Sequence, residues 1–318
     1  MGGIILGDFT IRKYPEKSWS ISKMKVIEGC YREYYYTYYG SHNGWLMDST
    51  IEQKIAWRLK KLTNIWLMFG DKLHIVISEN LKENNRNIKA EELIEYMRVN
   101  LNNGIKESIL KYRSGKWDEY PKGEMLQEYY YGGKLEDKTV ADIKERINNC
   151  SENFVKCKTY KELIEDNTKL LEADEGKFDY IVIEGVKVFA LIDTLYIDSK
   201  GNYIIVDWKT GKTSEYDKEQ LLVYAIYVME RYNVPLEKIR GRIEYLNLGE
   251  REEYIFEHSE IDDIYNRIKN DLNVINNFLI DKENNIPKEK EVFRKCDDIK
   301  KCNKCKYKKL CFDLEGKI

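Results

Sequence analysis

The stretch VKVFALIDTLYIDSKGNYIIVDWKTG, Val186 to Gly211, decides the fold. It contains two runs rich in β-branched and aromatic residues, VKVFALIDTLYID and NYIIVDWKT, and such runs predict strands. Between them Asp198-Ser-Lys-Gly201 supplies a turn, so the two runs are expected to form a hairpin. An acid interrupts each run: Asp193 follows Phe189-Ala-Leu-Ile192, and Asp207 follows Tyr203-Ile-Ile-Val206. Lys209 stands two residues beyond Asp207. In a strand, residues i and i+2 share a face, so Asp207 and Lys209 point together and Trp208 points away. Pairing across the turn brings Asp193 near Asp207. Charges inside apolar strands are costly unless paired or bound to metal. A salt bridge between Asp207 and Lys209 and a metal site account for the pattern equally well. In the second case two adjacent carboxylates hold Mg²⁺ or Mn²⁺ through oxygen. Such an ion acidifies a bound water and neutralises charge growing on a phosphate, which an adjacent Lys stabilises further.

Outward from the hairpin, FDYIVIEG reads as a preceding strand, and a helix is expected over about 216–233. Strands follow in RGRIEYLNLG and EEYIFEHS, then a helix over about 260–281. Upstream, residues about 20–80 read as mainly helical, with Ser20 and Ser22 as caps, and about 87–172 continue helical, broken at Gly132-Gly133. The fold class is α/β: a mixed central sheet flanked by helices, with a helical N-terminal elaboration and a Cys-rich C-terminal cap. Four segments are expected: 1–83, a helical insertion at 84–177, the core at 178–285, and the cap at 286–318.

The chain has 318 residues, 42% hydrophobic and 34% charged, with a formal net charge of -2. No apolar run reaches the length of a membrane span, and the start MGGIILGDFT lacks the features of a signal peptide, so a cytoplasmic location is expected. No G-x4-G-K-[ST] pattern is present, so an ATP-driven partner would be a separate polypeptide. The run Tyr31 to Tyr39 can stack bases or pack a helix; packing is the simpler reading. Positive charge concentrates in RKCDDIKKCNKCKYKKLC, Arg294 to Cys311, where Lys300, Lys301, Lys304, Lys306, Lys308 and Lys309 are candidates for phosphate contacts. Seven cysteines, an odd number, favour metal or redox chemistry over a disulfide framework. Cys302-x2-Cys305-x5-Cys311 makes only one close pair and leaves a fourth ligand to come from elsewhere.

Asp193 followed by Asp207-Trp-Lys209-Thr-Gly resembles the D…(D/E)xK core of the PD-(D/E)XK nuclease superfamily. Gln220-Leu-Leu-Val-Tyr224 is similar to the QxxxY motif of its RecB-like branch, and Gly70-Asp-Lys-Leu-His74 to that branch's G-x-x-x-H motif. The resemblance implies a restriction-endonuclease-like core, with Asp193, Asp207 and Lys209 catalytic. It also implies His74, Asp193 and Asp207 as ligands of Mg²⁺ or Mn²⁺, and Gln220 and Tyr224 as DNA-binding residues. The family's first acidic motif has no assigned counterpart, and Glu184 is not given that role.

The segment from Ser20 through Cys30, taken with the C-terminal spacing, resembles the iron–sulfur members of this branch, such as AddB-type nuclease domains and CRISPR-associated RecB-like exonucleases. That implies a [4Fe–4S] cluster held by Cys30, Cys302, Cys305 and Cys311. Cys296 is a competing ligand, and Cys150 and Cys157 are expected to be buried small apolar residues. The implied activity is a metal-dependent DNA exonuclease, rather than an endonuclease, acting on single strands or duplex ends. The settings are repair, recombination, CRISPR adaptation or phage DNA processing, with a helicase or a CRISPR or repair protein as partner. Two other readings stay open: a non-catalytic DNA-binding scaffold with the same fold, and a zinc-binding nucleic-acid module.

Overall fold

A computed structural model of the chain describes residues 5–6, 9–83, 85, 87–119, 121–165, 167–173 and 179–312. The strands are β1 (Ile5–Leu6), β2 (Phe9–Thr10), β3 (Ser18–Trp19), β4 (Lys169–Ala173), β5 (Tyr180–Ile183), β6 (Val186–Phe189), β7 (Thr194–Ile197), β8 (Tyr203–Lys209), β9 (Ile239–Tyr245), β10 (Glu250–Ile255), β11 (Leu279–Asp281) and β12 (Ile286–Pro287). The α-helices are α1 (Ile21–Gly29), α2 (Tyr31–Tyr35), α3 (Ile51–Lys60), α4 (Ile65–Lys82), α5 (Ala90–Ser114), α6 (Gln127–Gly132), α7 (Asp137–Lys156), α8 (Lys158–Leu163), α9 (Tyr216–Tyr232), α10 (His258–Asn276), α11 (Ile299–Lys304) and α12 (Lys308–Phe312).

Five strands form the central sheet in the order β10-β9-β8-β7-β4. β8 and β9 are parallel, joined by the crossover helix α9, and the other pairs are antiparallel. A second sheet, β3-β6-β5, packs beside it. Alternation along β8 sorts its side chains between two cores. Ile204, Val206 and Trp208 face α4, α5 and α7, while Ile205 faces α9 and α10. Helices therefore cover both faces, which is the expected restriction-endonuclease-like arrangement. The helical segment at 84–177 is part of this structure: Leu93, Met97 and Phe154 share the second core with Phe69 and Trp208. Among the described residues, no helix is long and apolar enough to cross a membrane.

Two local expectations change. Lys169–Ala173 is a strand, not the end of a helical stretch, because the free edge of β7 supplies its ladder partners. VKVFALIDTLYID is not one strand. It divides at residues 190–193 into β6 and β7, which belong to different sheets. The tyrosine run packs, as the simpler reading held: Tyr34, Tyr36 and Tyr39 are buried, and Tyr34, Tyr35 and Tyr39 surround Phe293.

Candidate active site

The hairpin of β7 and β8 sets the site's geometry. The Asp198 carboxylate accepts from the amides of Lys200 and Asn202, and Gly201 takes the left-handed conformation that the turn requires. This fixes Thr194 opposite Val206. Asp193, just before β7, then lies beside the far end of β8, and its Oδ2 accepts the Trp208 amide at 2.8 Å. Trp208 itself points into the opposite core, where its Nε1 donates to Thr194 Oγ1 at 3.0 Å. Asp207 and Lys209 share the other face, with Lys209 Nζ 2.5 Å from Asp207 Oδ2.

His74 reaches this point from α4, whose start is fixed by Asn64 accepting from the amides of Trp66 and Leu67. Its Nε2 lies 2.8 Å from the Trp208 carbonyl and its Nδ1 3.4 Å from Asp193 Oδ1. A carbonyl only accepts, so Nε2 carries a proton and Nδ1 is the atom turned to the carboxylates. A methyl group at Gly70, one turn earlier, would meet only Thr210 Oγ1 at 3.8 Å, so packing does not demand that glycine.

Lys209 has two further partners. Its Nζ donates to Gln220 Oε1 at 3.0 Å and lies 3.8 Å from Asp217 Oδ1. The buried Asp217 in turn accepts from the Tyr245 hydroxyl at 3.0 Å and the Ser214 amide at 2.9 Å. Gln220 Nε2 donates to the Tyr224 hydroxyl at 2.6 Å, and Tyr224 is buried. Gln220 and Tyr224 thus form a line behind Lys209, as the i, i+4 spacing on one helix allows. Asp217 was not singled out in the sequence; its signal was an acid one turn before Gln220, directly after the DWKTG stretch. Glu184 sits in the exposed β5–β6 turn, in the other sheet.

The charges are strongly coupled. Burial alone would lower His74, but Asp193 and its hydrogen bond raise it to about 9. Burial would raise Asp193, yet the His74 charge, its hydrogen bond and the Trp208 amide hold it below the usual carboxylate range. Asp207 is pushed up to about 6 by burial and by Asp193. Burial would lower Lys209, and Asp207 and Asp193 outweigh it, so the ammonium is held above its ordinary value. Three carboxylates thus face one ammonium and one imidazole. Asp207 Oδ2 is buried with Lys209 Nζ 2.5 Å away. Buried carboxylate oxygens that outnumber the nearby positive groups are what a divalent cation would satisfy, so the donor set fits such an ion. Among the described residues no three His, Cys, Asp or Glu side chains are closed into a ready cage; here Lys209 and the Trp208 amide occupy the carboxylates instead.

The cysteines gather elsewhere. Cys30, Cys296, Cys302, Cys305 and Cys311 line one cavity of about 370 Å³. Cys30 lies between α1 and α2, and α2 is tied to the C-terminal region by Arg32, whose amide donates to the Arg294 carbonyl and whose Nε donates to the Phe293 carbonyl. Cys296 and Cys302 sulfurs are 3.6 Å apart. Burial raises the Cys305 thiol strongly and the Cys311 thiol to about 11, the latter against the opposing pull of Lys295 and Arg32. Cys150 is buried in the second core, and Cys157 accepts the Tyr160 amide at the start of α8. Of the six tail lysines, Lys300, Lys301, Lys304 and Lys309 are exposed, while Lys306 Nζ donates to the Lys60 carbonyl.

No curated protein matches the chain. The sequence profile of the PD-(D/E)XK nuclease superfamily matches residues 18–312, from before Cys30 to just past Cys311. Members of that superfamily are nucleases acting on DNA, typically with divalent metals such as Mg²⁺. With a mixed sheet flanked by helices and a match over most of its length, the chain belongs to the PD-(D/E)XK nuclease superfamily.

Proposed function

We propose that this nuclease is a metal-dependent DNA exonuclease of the RecB-like type, acting on single strands or duplex ends. Asp193, Asp207 and His74 hold Mg²⁺ or Mn²⁺, and Lys209 acts at the attacking water and the phosphate. The observation that carries this reading is the meeting of His74 with the Asp193–Asp207–Lys209 group, more than a hundred residues further along the sequence. The G-x-x-x-H and QxxxY resemblances favour the exonuclease branch. A bound divalent ion would supply an acidified water and neutralise the phosphate.

The chain's own residues do the rest. His74 would ligate through Nδ1 once that proton leaves, its Nε2 remaining on the Trp208 carbonyl. Lys209 is held as a cation by Asp207, Asp217 and Gln220, so it serves as a donor to the water and phosphate rather than as a base. Gln220 positions Lys209 and would take part in DNA binding through it, with the buried Tyr224 acting through Gln220. Cys30, Cys302, Cys305 and Cys311 would hold a [4Fe–4S] cluster that ties the first helices to the C-terminus, with Cys296 as a spare thiol beside them. The setting is DNA repair, recombination, CRISPR adaptation or phage DNA processing, with any ATP-driven partner on a separate chain.

The deciding experiment is purification without oxygen, followed by assay on end-labelled linear and closed circular DNA with Mg²⁺ or Mn²⁺. Progressive loss from linear ends, sparing circles, is expected. Cutting of circles at the same rate would overturn the exonuclease mode. Stoichiometric zinc without acid-labile sulfide would overturn the cluster.

A further inference from the structure

Helix α5, its loop to α6, α6 and the helix α12 enclose a cavity of about 480 Å³, apart from the carboxylate site but sharing Lys308 and Phe312 with the wall of the cysteine cavity. Lys111, Lys308 and Lys309 line it against one acid, Asp118. Its rings are held in place. Trp117 is buried beneath Lys111, whose Nζ lies 5.2 Å from the ring centre. Tyr130 and Tyr131 meet edge to face at 4.8 Å, and their hydroxyls donate to Asp118 Oδ1 and the Lys306 carbonyl. Lys308 Nζ lies 4.2 Å over the Tyr131 ring. Two rings remain open: Tyr112 is 48% exposed and Phe312 50% exposed, both on the cavity wall. Two open rings beside three lysines on one cavity wall offer both stacking faces and positive charge to a ligand.

We propose that this cavity grips a single-stranded nucleic acid, with bases stacking on Tyr112 and Phe312 and phosphates meeting Lys308 and Lys309. Flat rings take any base, and lysines take any phosphate, so the grip is sequence-tolerant. The cavity is joined to the catalytic helix: Lys72 of α4, two residues before His74, pairs with Glu124 at 2.9 Å, next to the wall residue Met125. It is joined to the cap as well, because Gln127 donates to the Lys304 carbonyl. The grip gives a role to part of the 84–177 segment, and it rests on the DNA-processing function proposed above.

The test measures binding of a labelled oligothymidylate without divalent metal, beside an abasic strand of the same length. Tyr112→Ala combined with Phe312→Ala should weaken the base-bearing strand roughly tenfold, within the range for lost stacking, and leave the abasic strand unchanged. Lys309→Gln should weaken both strands alike and reduce the salt slope by about one. Unchanged binding in the double variant, or equal loss on both strands, would overturn the proposal. So would a wild-type protein that binds no single strand. Metal-dependent cleavage is measured in parallel. The base-dependent loss in the double variant, together with a wild type that never cleaves, would sink the exonuclease reading and leave this one standing.

Discussion

The carboxylate–lysine site and the cysteine cavity both join residues far apart in the chain, yet folding leaves them in opposite electrostatic states. At the first, every titratable group already has a charged neighbour: His74 with Asp193, Asp207 with Lys209, Lys209 with Asp217. At the second, five thiols face an apolar cavity in which burial favours the neutral form at Cys305 and Cys311. One site is preorganised by strands and hydrogen bonds, and its three carboxylates are partly offset by Lys209 and His74. The other keeps its buried thiols neutral although Lys295, Lys301, Lys304 and Lys308 stand on its wall, so its order would depend on what the thiols bind. Changes at the first should therefore alter turnover in a folded protein, and changes at the second should alter folding.

The largest effect should follow from Asp207→Ala. Metal-dependent cleavage should fall below detection, while the circular dichroism spectrum and the thermal midpoint stay near wild type. If that variant degraded DNA at the wild-type rate, the assignment of this site would be wrong. Lys209→Ala should retain metal and DNA binding and cleave about 100-fold more slowly, the scale of losing one preorganised donor. Asp217→Asn, which keeps an acceptor for Tyr245 and Ser214 but removes the charge near Lys209, should cost about tenfold in kcat with little change in KM. A purely structural role for Asp217 would instead lower the thermal midpoint and leave kcat untouched.

Cys302→Ala sharpens the other half of the comparison. Loss of the proposed cluster's cross-link should cost on the order of 3–5 kcal/mol, by analogy with closing a long loop. Cys150→Ala, in a dry core, should cost only about 1 kcal/mol. Chemical denaturation of protein kept free of oxygen measures both, and equal losses would erase the distinction.

The smallest effect is a pH dependence. His74 is raised from 6.5 to about 9, so the stabilisation from its charge beside Asp193 is complete below pH 6.5 and disappears as pH rises through about 9. Metal-free wild type should lose thermal stability across that window, and His74→Asn should lose less. Divalent-ion affinity should move the other way, rising with pH as Nδ1 gives up its proton. Parallel melting curves for the two proteins between pH 6.5 and 9 would contradict the pairing.

Much of the fold was legible because strands announce themselves locally. The β7–β8 hairpin and the helix α9 followed from local pattern and a single turn, and the mixed sheet from the family resemblance. The strand Lys169–Ala173 was not legible: it continues a charged helical stretch, and only the open edge of β7 makes it extended. Nor was the break before Asp193, since an apolar run does not reveal which of two sheets will take each half. The 84–177 segment read as an insertion because it matched no motif, whereas Leu93, Met97 and Phe154 build the core behind Trp208.

The sequence by itself determined the relations that span a few residues. Asp207 and Lys209 share a strand face, and Gln220 and Tyr224 share a helix face, because backbone geometry fixes i, i+2 and i, i+4 neighbours whatever surrounds them. Only the tertiary structure decided that His74 meets Asp193, that Gln220 turns to Lys209, that Asp217 supplies a third charge, and that Arg32 carries Cys30 to the C-terminal cap. Those contacts cross a hundred residues or more, or depend on which rotamer packing permits. Their free energy lies in the burial and hydrogen bonding of whole helices against the sheet, which no short pattern encodes.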